Sequence, residues 1–178
     1  MEELVKREYL YRGRILNLRR DTVRVSNGAE AQREIIEHPG AVVIVALDAA
    51  DNVLLVQQYR HAVGHELLEL PAGTLEKTEL PAHAALRELK EETGYTAQQW
   101  ELLARFFSSP GILTEEMYVY LARGLTEGAS APDSDEELHV EKIPLHAAVA
   151  QATRGEIVDA KTIVGLLLTA QKLRTMIG

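Results

Sequence analysis

The sequence contains no cysteine and has fewer basic than acidic residues. Without cysteine the chain forms no disulfide and carries out no thiol chemistry. The 19 lysine and arginine residues, against 27 aspartate and glutamate residues, give a formal net charge of -8 at pH 7. This acidic balance argues against nucleic acid or an anionic membrane as the partner.

Long apolar runs are also missing. No stretch approaches the length of a transmembrane helix, and the opening residues, MEELVKREYLYRGR, lack the apolar core of a signal peptide. Internal repeats and low-complexity segments are absent as well. We therefore expect a cytoplasmic protein that has no membrane partner.

What remains is the composition of a small α/β protein. Of the 178 residues, 46% are hydrophobic, and strand-like and helix-like patterns follow one another along the chain. A chain of this length can bury a sizeable core. We predict one main α/β domain, residues 37–178, preceded by a small β arm, residues 1–36.

Alternating apolar residues predict arm strands at residues 4–11, 14–25 and 31–37, with Asn27-Gly28 as the turn before the third. Because a small isolated sheet is marginally stable, the arm is expected to pack on the rest of the chain or on a partner subunit. In the main domain we predict strands at residues 41–47, 53–59, 67–70, 100–107, 117–121 and 138–143, and helices at residues 80–93, 144–153 and 160–176. Together these elements predict a mixed sheet with helices on its faces.

The segment 73–95, GTLEKTELPAHAALRELKEETGY, contains the most informative of these helices. Pro81 suits the first turn of a helix and Gly94 suits the position just past its end, which gives the predicted bounds 80–93. The apolar stripe that packs this helix against a sheet is predicted from Ala82, Ala85, Leu86 and Leu89.

Three glutamates share one face of this predicted helix. Glu88 lies three residues before Glu91 and four before Glu92, so their carboxylates come close together. Concentrated negative charge is unfavourable unless a cation neutralises it, and carboxylate oxygens suit a hard ion such as Mg²⁺ or Mn²⁺. The spacing therefore predicts a divalent metal site. The simpler alternative is an ordinary solvated helix in which Arg87 pairs with Glu91.

Residues outside the helix favour the metal site over the solvated helix. Gly73 lies fourteen residues before Arg87, Glu79 stands between them, and Gly94 ends the pattern, none of which helix solvation requires. The full spacing, G-x5-E-x7-R-E-L-x-E-E-x-G, resembles the Nudix box. Tyr95 follows it where the family has an aliphatic residue, and this departure affects no catalytic position.

Strings beyond the box resemble the ADP-ribose pyrophosphatase branch of the Nudix hydrolases. Pro110 stands sixteen residues after Gly94, as a proline does in that branch. The other matching strings are Arg33-Glu34, residues 38–41 (HPGA) and residues 58–60 (QYR). The resemblance implies a Nudix-type α/β/α sandwich with a mixed sheet, preceded by a small N-terminal antiparallel β arm.

By this resemblance, the box binds Mg²⁺, or Mn²⁺ as a substitute, and the metal activates a water molecule that attacks a pyrophosphate. The implied metal ligands are Glu88, Glu91, Glu92 and the backbone carbonyl of Ala72. The implied structural residues are Gly73, Glu79, Gly94 and Arg87, the last orienting the cluster through an ion pair. The base stays open between Glu91, Glu136 and Glu137, the last two of which have a simpler interpretation as part of a solvated loop.

Arg33 and Arg60 are the best candidates to contact a diphosphate, because a guanidinium can engage two phosphate oxygens. Their plainer interpretation is as surface cations. The resemblance also assigns Glu34, Gly111 and Glu115 to substrate binding, where Glu115 could equally be a loop-end charge.

The resemblance further implies a homodimer that exchanges its N-terminal strands, so that Glu34 and Arg60 reach one ligand from different subunits. The implied reaction is Mg²⁺-dependent hydrolysis of ADP-ribose to AMP and ribose 5-phosphate, with other ADP-sugars tolerated. Two alternatives stay open. One is another nucleoside diphosphate sugar such as GDP-mannose, since the box recognises only the diphosphate. The other is a non-catalytic nucleotide-sensing module, against which the intact glutamates argue.

Overall fold

The computed structural model describes residues 1–129 and 138–177. These fall into two compact units, one of Met1–Gly40 with Phe106–Met117 and one of Ala41–Arg105 with Tyr118–Gly178. The elements in chain order are β1 (Glu3–Arg12), β2 (Asn17–Arg24), β3 (Glu30–Glu37), β4 (Ala41–Ala46), β5 (Asn52–Arg60), β6 (His65–Glu69), β7 (Ala72–Thr74), α1 (Pro81–Thr93), β8 (Tyr95–Phe107), β9 (Glu116–Glu127), β10 (Leu138–Pro144), α2 (Leu145–Arg154) and α3 (Ala160–Ile177).

The first unit contains a three-stranded antiparallel sheet in the order β1-β2-β3. The strands predicted from alternating apolar residues and the antiparallel arm implied by the family resemblance are confirmed. Asp21 on β2 is buried and pairs with Arg7 at 3.2 Å and with Arg19 at 3.4 Å, which compensates its charge. The loop after β8 joins this unit through Ile36, whose N–H donates to the carbonyl of Ile112 at 2.7 Å.

The second unit is an α/β/α sandwich built around β4, whose six residues are all buried. Successive strand residues point to opposite faces of a sheet. Val42 and Ile44 belong to one core cluster with Ala85 and Leu89 of α1. On the other face, Val45 lies against Gly165 of α3. Helices therefore cover both faces of β4, and the predicted α/β fold is confirmed.

The buried face of α1 differs from the predicted apolar stripe. Ala85 and Leu89 are buried as expected, but Ala82 and Leu86 are exposed, so their assignment to the stripe is wrong. Glu92 is also buried, although its side chain is a carboxylate. It lies seven residues after Ala85 and three after Leu89, which places it on the same helix face. Leu86 lies about 100° round the helix from Ala85, which turns it toward solvent.

Strands β7, β8 and β9 depart most from the sequence predictions, and β9 runs on to Glu127, beyond its predicted end at residue 121. β7 is only three residues long and pairs with β4, Gly73 opposite Val42, within a sheet ordered β7-β4-β9-β8. β8 begins at Tyr95 rather than at Trp100, directly after the box helix. Its polar first half gave no strand signal, which fits its place at the edge of the sheet.

Helix α3 begins at a capped end. Asp159 precedes it and accepts the N–H of Thr162 at 2.9 Å, the contact that an N-cap makes with the third residue of a helix. Helices α2 and α3 contact each other, and α3 also contacts β4. Among the described residues, no helix is both long and apolar enough to cross a membrane.

Candidate active site

The box helix α1 is bounded by the residues that predicted it. Pro81 is its first residue, and Gly94 follows its end in the left-handed conformation, with φ of 76°, its N–H donating to the carbonyl of Lys90 at 2.9 Å. Glycine enters this conformation without steric penalty. Glu88, Glu91 and Glu92 therefore lie on the last two turns of a helix whose end is fixed, and Glu79 lies just before the helix begins.

Glu88 lies against bare backbone at Gly73. A Cβ added to Gly73 would come within 2.0 Å of both Cδ and Oε1 of Glu88, far inside a carbon–carbon contact of about 3.5 Å. Gly73 does not have a positive φ, so its role is the absence of a side chain and not unusual backbone freedom. Gly73, on β7, thus leaves space for the carboxylate of Glu88, which lies on α1.

Arg87 forms ion pairs with three of the box carboxylates. Its Nη1 lies 2.6 Å from Oε1 of Glu88 and 3.0 Å from Oε2 of Glu91, while its Nε and Nη2 donate to Glu79 at 3.0 and 2.8 Å. The hydrogen bonds from Arg87 hold the pKa of Glu79 below its ordinary value. In turn, these carboxylates raise the pKa of Arg87, and the hydrogen bond to Glu79 has a larger effect than the charge of Glu88.

Glu92 is 5% exposed, and its Oε2 accepts the N–H of Ala72 at 3.0 Å. A buried carboxylate is retained in a folded protein when hydrogen bonds or charges compensate it. The contact between Glu92 and Ala72 therefore uses the amide of Ala72, whereas the sequence prediction assigned its carbonyl to a metal. It joins the box helix to the strand that carries Gly73.

The donor set of the box fits a hard divalent cation. The carboxylates of Glu79, Glu88 and Glu91 lie around the guanidinium of Arg87. The carboxylate of Glu92, on the same helix, accepts the N–H of Ala72. An oxygen-only set with excess negative charge is what Mg²⁺ and Mn²⁺ bind. Within residues 1–129 and 138–177, no three Asp, Glu or His side chains are arranged as a ready metal-ligand group; Arg87 pairs with Glu91, and the N–H of Ala72 donates to Glu92.

Arg60, at the end of β5, forms a bidentate ion pair with Glu69. Its Nε and Nη2 each lie 2.8 Å from a carboxylate oxygen of Glu69. Lys161 contacts the same carboxylate and lies 3.0 Å from Oδ1 of Asp159. Arg60, which the sequence predicts to bind the diphosphate, thus lies in a cluster of charged side chains within the second unit.

In the first unit, Arg33 and Gly111 line one cavity of about 340 Å³. Arg33 pairs there with Glu2, its Nε lying 3.2 Å from Oε2. Glu34, the next residue, is exposed on β3. Glu115 lies 3.4 Å from Nδ1 of His38.

The described site residues predicted from the sequence divide between the two units: the box cluster and Arg60 belong to the second, and Arg33, Glu34, Gly111 and Glu115 belong to the first. Glu136 and Glu137, the loop candidates for the base, lie outside the described residues.

The sequence interpretation missed Glu69, Lys161 and Asp159. Glu69 ends β6 just before the box, and Asp159 could have been recognised as an N-cap before an apolar helix pattern. A lysine in the first turn of that helix is electrostatically unfavourable, and this mismatch is the signal that could have identified Lys161.

Comparison with known proteins identifies the family. Residues 37–164 match the NUDIX domain, and residues 2–36 match the nucleoside diphosphate sugar hydrolase N-terminal domain. The chain belongs to the Nudix hydrolases.

Three curated relatives align over most of both chains. An ADP-ribose pyrophosphatase of Mycobacterium tuberculosis is 42% identical over 93% of this chain and 81% of its own length. A Bacillus subtilis protein of the same name is 37% identical over 90% and 88%. A methanol dehydrogenase activator of Bacillus methanolicus is 39% identical over 93% and 90%.

A solved structure described as an ADP compounds hydrolase has the same fold, with a TM-score of 0.86. It covers 98% of this chain and 95% of its own, at 24% identity. The resemblance to the ADP-ribose pyrophosphatase branch, drawn from the motifs, is therefore supported by the sequence relatives, and the solved structure shows the shared fold.

Proposed function

We propose that this protein hydrolyses the pyrophosphate of ADP-ribose to AMP and ribose 5-phosphate, and that it tolerates other ADP-sugars. The observation that carries the proposal is the box cluster, in which Gly73 admits the carboxylate of Glu88 beside Glu91 and Glu92. The relatives named ADP-ribose pyrophosphatase favour this substrate over other diphosphates.

The cofactor that we propose is Mg²⁺, with Mn²⁺ as a substitute, held by Glu88, Glu91, Glu92 and the carbonyl of Ala72. A divalent ion there would neutralise charge on the diphosphate and lower the pKa of the attacking water. Arg87 orients the carboxylates through its ion pairs with Glu88 and Glu91 and does not touch the substrate.

The diphosphate is bound by Arg60 and Arg33, and the rest of the substrate by Glu34, Gly111 and Glu115. Arg60 suits this role because its guanidinium is partly exposed and already fixed on one edge by Glu69. A fixed guanidinium loses little side-chain entropy when it binds phosphate oxygens.

The base that takes the proton from water is Glu91, Glu136 or Glu137. Changing each to glutamine separates them, because loss of the base lowers kcat most and removes the acid-side pKa of the pH–rate profile, where a carboxylate base must lose its proton to act. If the base lies in the box, Glu137→Gln shows a much smaller loss than Glu91→Gln. A larger loss of activity for Glu137→Gln than for Glu91→Gln would assign the base to Glu137, outside the box.

The arm, residues 1–36, is proposed to form a homodimer in a cytoplasmic enzyme, with its strands exchanged between subunits. Large apolar side chains are exposed on it, among them Leu4, Leu10, Tyr11 and Ile15. Such a surface is typical of an interface. Sedimentation equilibrium tests this proposal: a dimer supports it, and a monomer at micromolar concentration contradicts it.

A substrate panel tests the function. ADP-ribose, ADP-glucose and GDP-mannose are each incubated with Mg²⁺ or Mn²⁺, and the nucleotide product is quantified. The highest kcat/KM for ADP-ribose supports the proposal. Faster GMP release from GDP-mannose would move the substrate to that alternative, and no turnover of any nucleotide sugar would leave a nucleotide-sensing module.

A further inference from the structure

A network of charges joins the end of β5 to the start of α3. Glu69 is 1% exposed and accepts two hydrogen bonds from Arg60, while Lys161 contacts both Glu69 and Asp159. Two positive and two negative groups make the network neutral as a whole. Each charge within it is therefore compensated by a direct partner.

Backbone contacts tie this network to the box. Asp159 accepts both the N–H and the hydroxyl of Thr162, at 2.9 and 2.6 Å, and the hydroxyl oxygen of Thr162 accepts the N–H of Leu70 at 2.8 Å. Leu70 lies two residues before Ala72, whose N–H is bonded to Glu92. The first turn of α3 thus holds the segment that leads into the site.

Helix stability does not explain Lys161. A cation in the first turn of a helix opposes the helix dipole. The side chain is also only 13% exposed, and burying an ammonium group is unfavourable unless it is paired. An apolar residue would satisfy packing at this position with less electrostatic penalty.

We propose that Lys161 is a positioning residue: it holds and neutralises Glu69, so that Arg60 presents its open edge to the diphosphate of the substrate. This inference rests on the proposed function. A guanidinium carries five N–H bonds, of which Glu69 accepts two, so the remaining edge can donate to phosphate oxygens. The side chain of Arg60 is 37% exposed, so part of it is accessible to a ligand.

The protonation states agree with this geometry. Burial alone would raise the pKa of Glu69, but hydrogen bonds and charges from Arg60 and Lys161 hold that pKa below its ordinary value. The pKa of Arg60 is raised, chiefly by Glu69, and the charge of Glu92 contributes as well. Arg60 therefore lies within electrostatic range of the box.

Removing the charge of Lys161 leaves one positive and two negative groups beside the diphosphate. We expect Lys161→Met to weaken binding of ADP, the diphosphate probe, and to raise the KM for ADP-ribose about tenfold, with kcat changed less than about threefold. Lys161→Arg restores the charge and should recover most of the affinity. ADP binding is measured by titration calorimetry with Mg²⁺ present.

A double-mutant cycle with Arg60→Met tests the route of action. If Lys161 acts through Arg60, Lys161→Met has little further effect on ADP affinity once Arg60 is gone. Lys172→Met is the matched control, because Lys172 lies on the same helix in an exposed ion pair with Glu101 at 2.6 Å. That variant should keep wild-type affinity and KM.

Unchanged ADP affinity and KM in Lys161→Met would overturn the inference, as would an equal loss with and without Arg60. If Lys161→Met unfolds at the assay temperature, Lys161→Gln replaces it and is expected to show the same loss. A wild-type enzyme that binds ADP but leaves ADP-ribose intact contradicts the proposed function alone, since the calorimetric cycle still tests Lys161. A wild-type enzyme that does not bind ADP overturns both.

Discussion

The carboxyl group of Glu88 lies so close to Gly73 that a Cβ on residue 73 would come within 2.0 Å of Glu88 Cδ. Helix α1 and strand β7 thus come into contact at Gly73, where the strand has no side chain. Any substitution of Gly73 must move the carboxylate of Glu88. The box glycine is thereby linked directly to the position of a proposed metal ligand.

Gly73→Ala is expected to lower kcat for AMP release by about a hundredfold or more, since a displacement near 1 Å can have that effect. The free energy of unfolding should change little, because the atoms that must move are the end of a flexible side chain. Steady-state kinetics and urea unfolding measure the two effects. Retention of wild-type kcat would show that the position of Glu88 does not matter for the reaction.

Gly165→Ala is expected to show the opposite pattern. A Cβ there would lie 2.6 Å from Leu70 Cδ1 and 3.1 Å from Val45 Cγ2, so it overpacks the interface between α3 and β4. Overpacking destabilises by about 1–3 kcal/mol, and the better helix propensity of alanine offsets about 1 kcal/mol. We expect lower stability in urea with kcat retained at 20 °C or below; a gain in stability would contradict this packing.

Glu92→Gln is expected to lower kcat by roughly three orders of magnitude, an effect of the size seen when a key electrostatic group of an active site is removed. Glutamine can still accept the N–H of Ala72, so the fold and its stability should be retained. Glu101→Gln, at an exposed ion pair, serves as the control for loss of a charge. Wild-type rates in Glu92→Gln would remove Glu92 from the metal site.

The ion pair between Glu79 and Arg87 gives stability that depends on pH. Because Arg87 lowers the pKa of Glu79 from its ordinary 4.5, the pair stabilises the fold above about that pH and loses its effect as pH falls through the lower folded value. The difference in unfolding free energy between wild type and Glu79→Gln should therefore be largest near pH 7 and shrink below pH 4.5. Urea unfolding across this range measures it, and a constant difference would contradict the assignment.

Local signals in the sequence predicted the bounds of α1 well, because Pro81 and Gly94 act on the residues beside them. The buried face of α1 was misassigned because Glu92 is buried through a contact to Ala72, twenty residues earlier, that no periodicity reveals. The early start of β8 was missed because the polar residues of an edge strand resemble a loop.

The site was predictable only in part, because some of its contacts join residues that are far apart in the sequence. Glu88, Glu91 and Glu92 stand close in sequence, so their spacing alone placed them on one face. The partner of Glu69 on α3, Lys161, is 92 residues away. Contacts at such separation depend on the packed fold, and a single sequence carries no direct signal for them.

AMP release from ADP-ribose, followed with Mg²⁺ and again with excess EDTA, tests the central claim most directly. We predict AMP and ribose 5-phosphate in equal amounts with Mg²⁺ and no product with EDTA. Turnover that persists in EDTA would contradict the metal role of the box, and failure to turn over ADP-ribose with any divalent ion would contradict the proposed reaction.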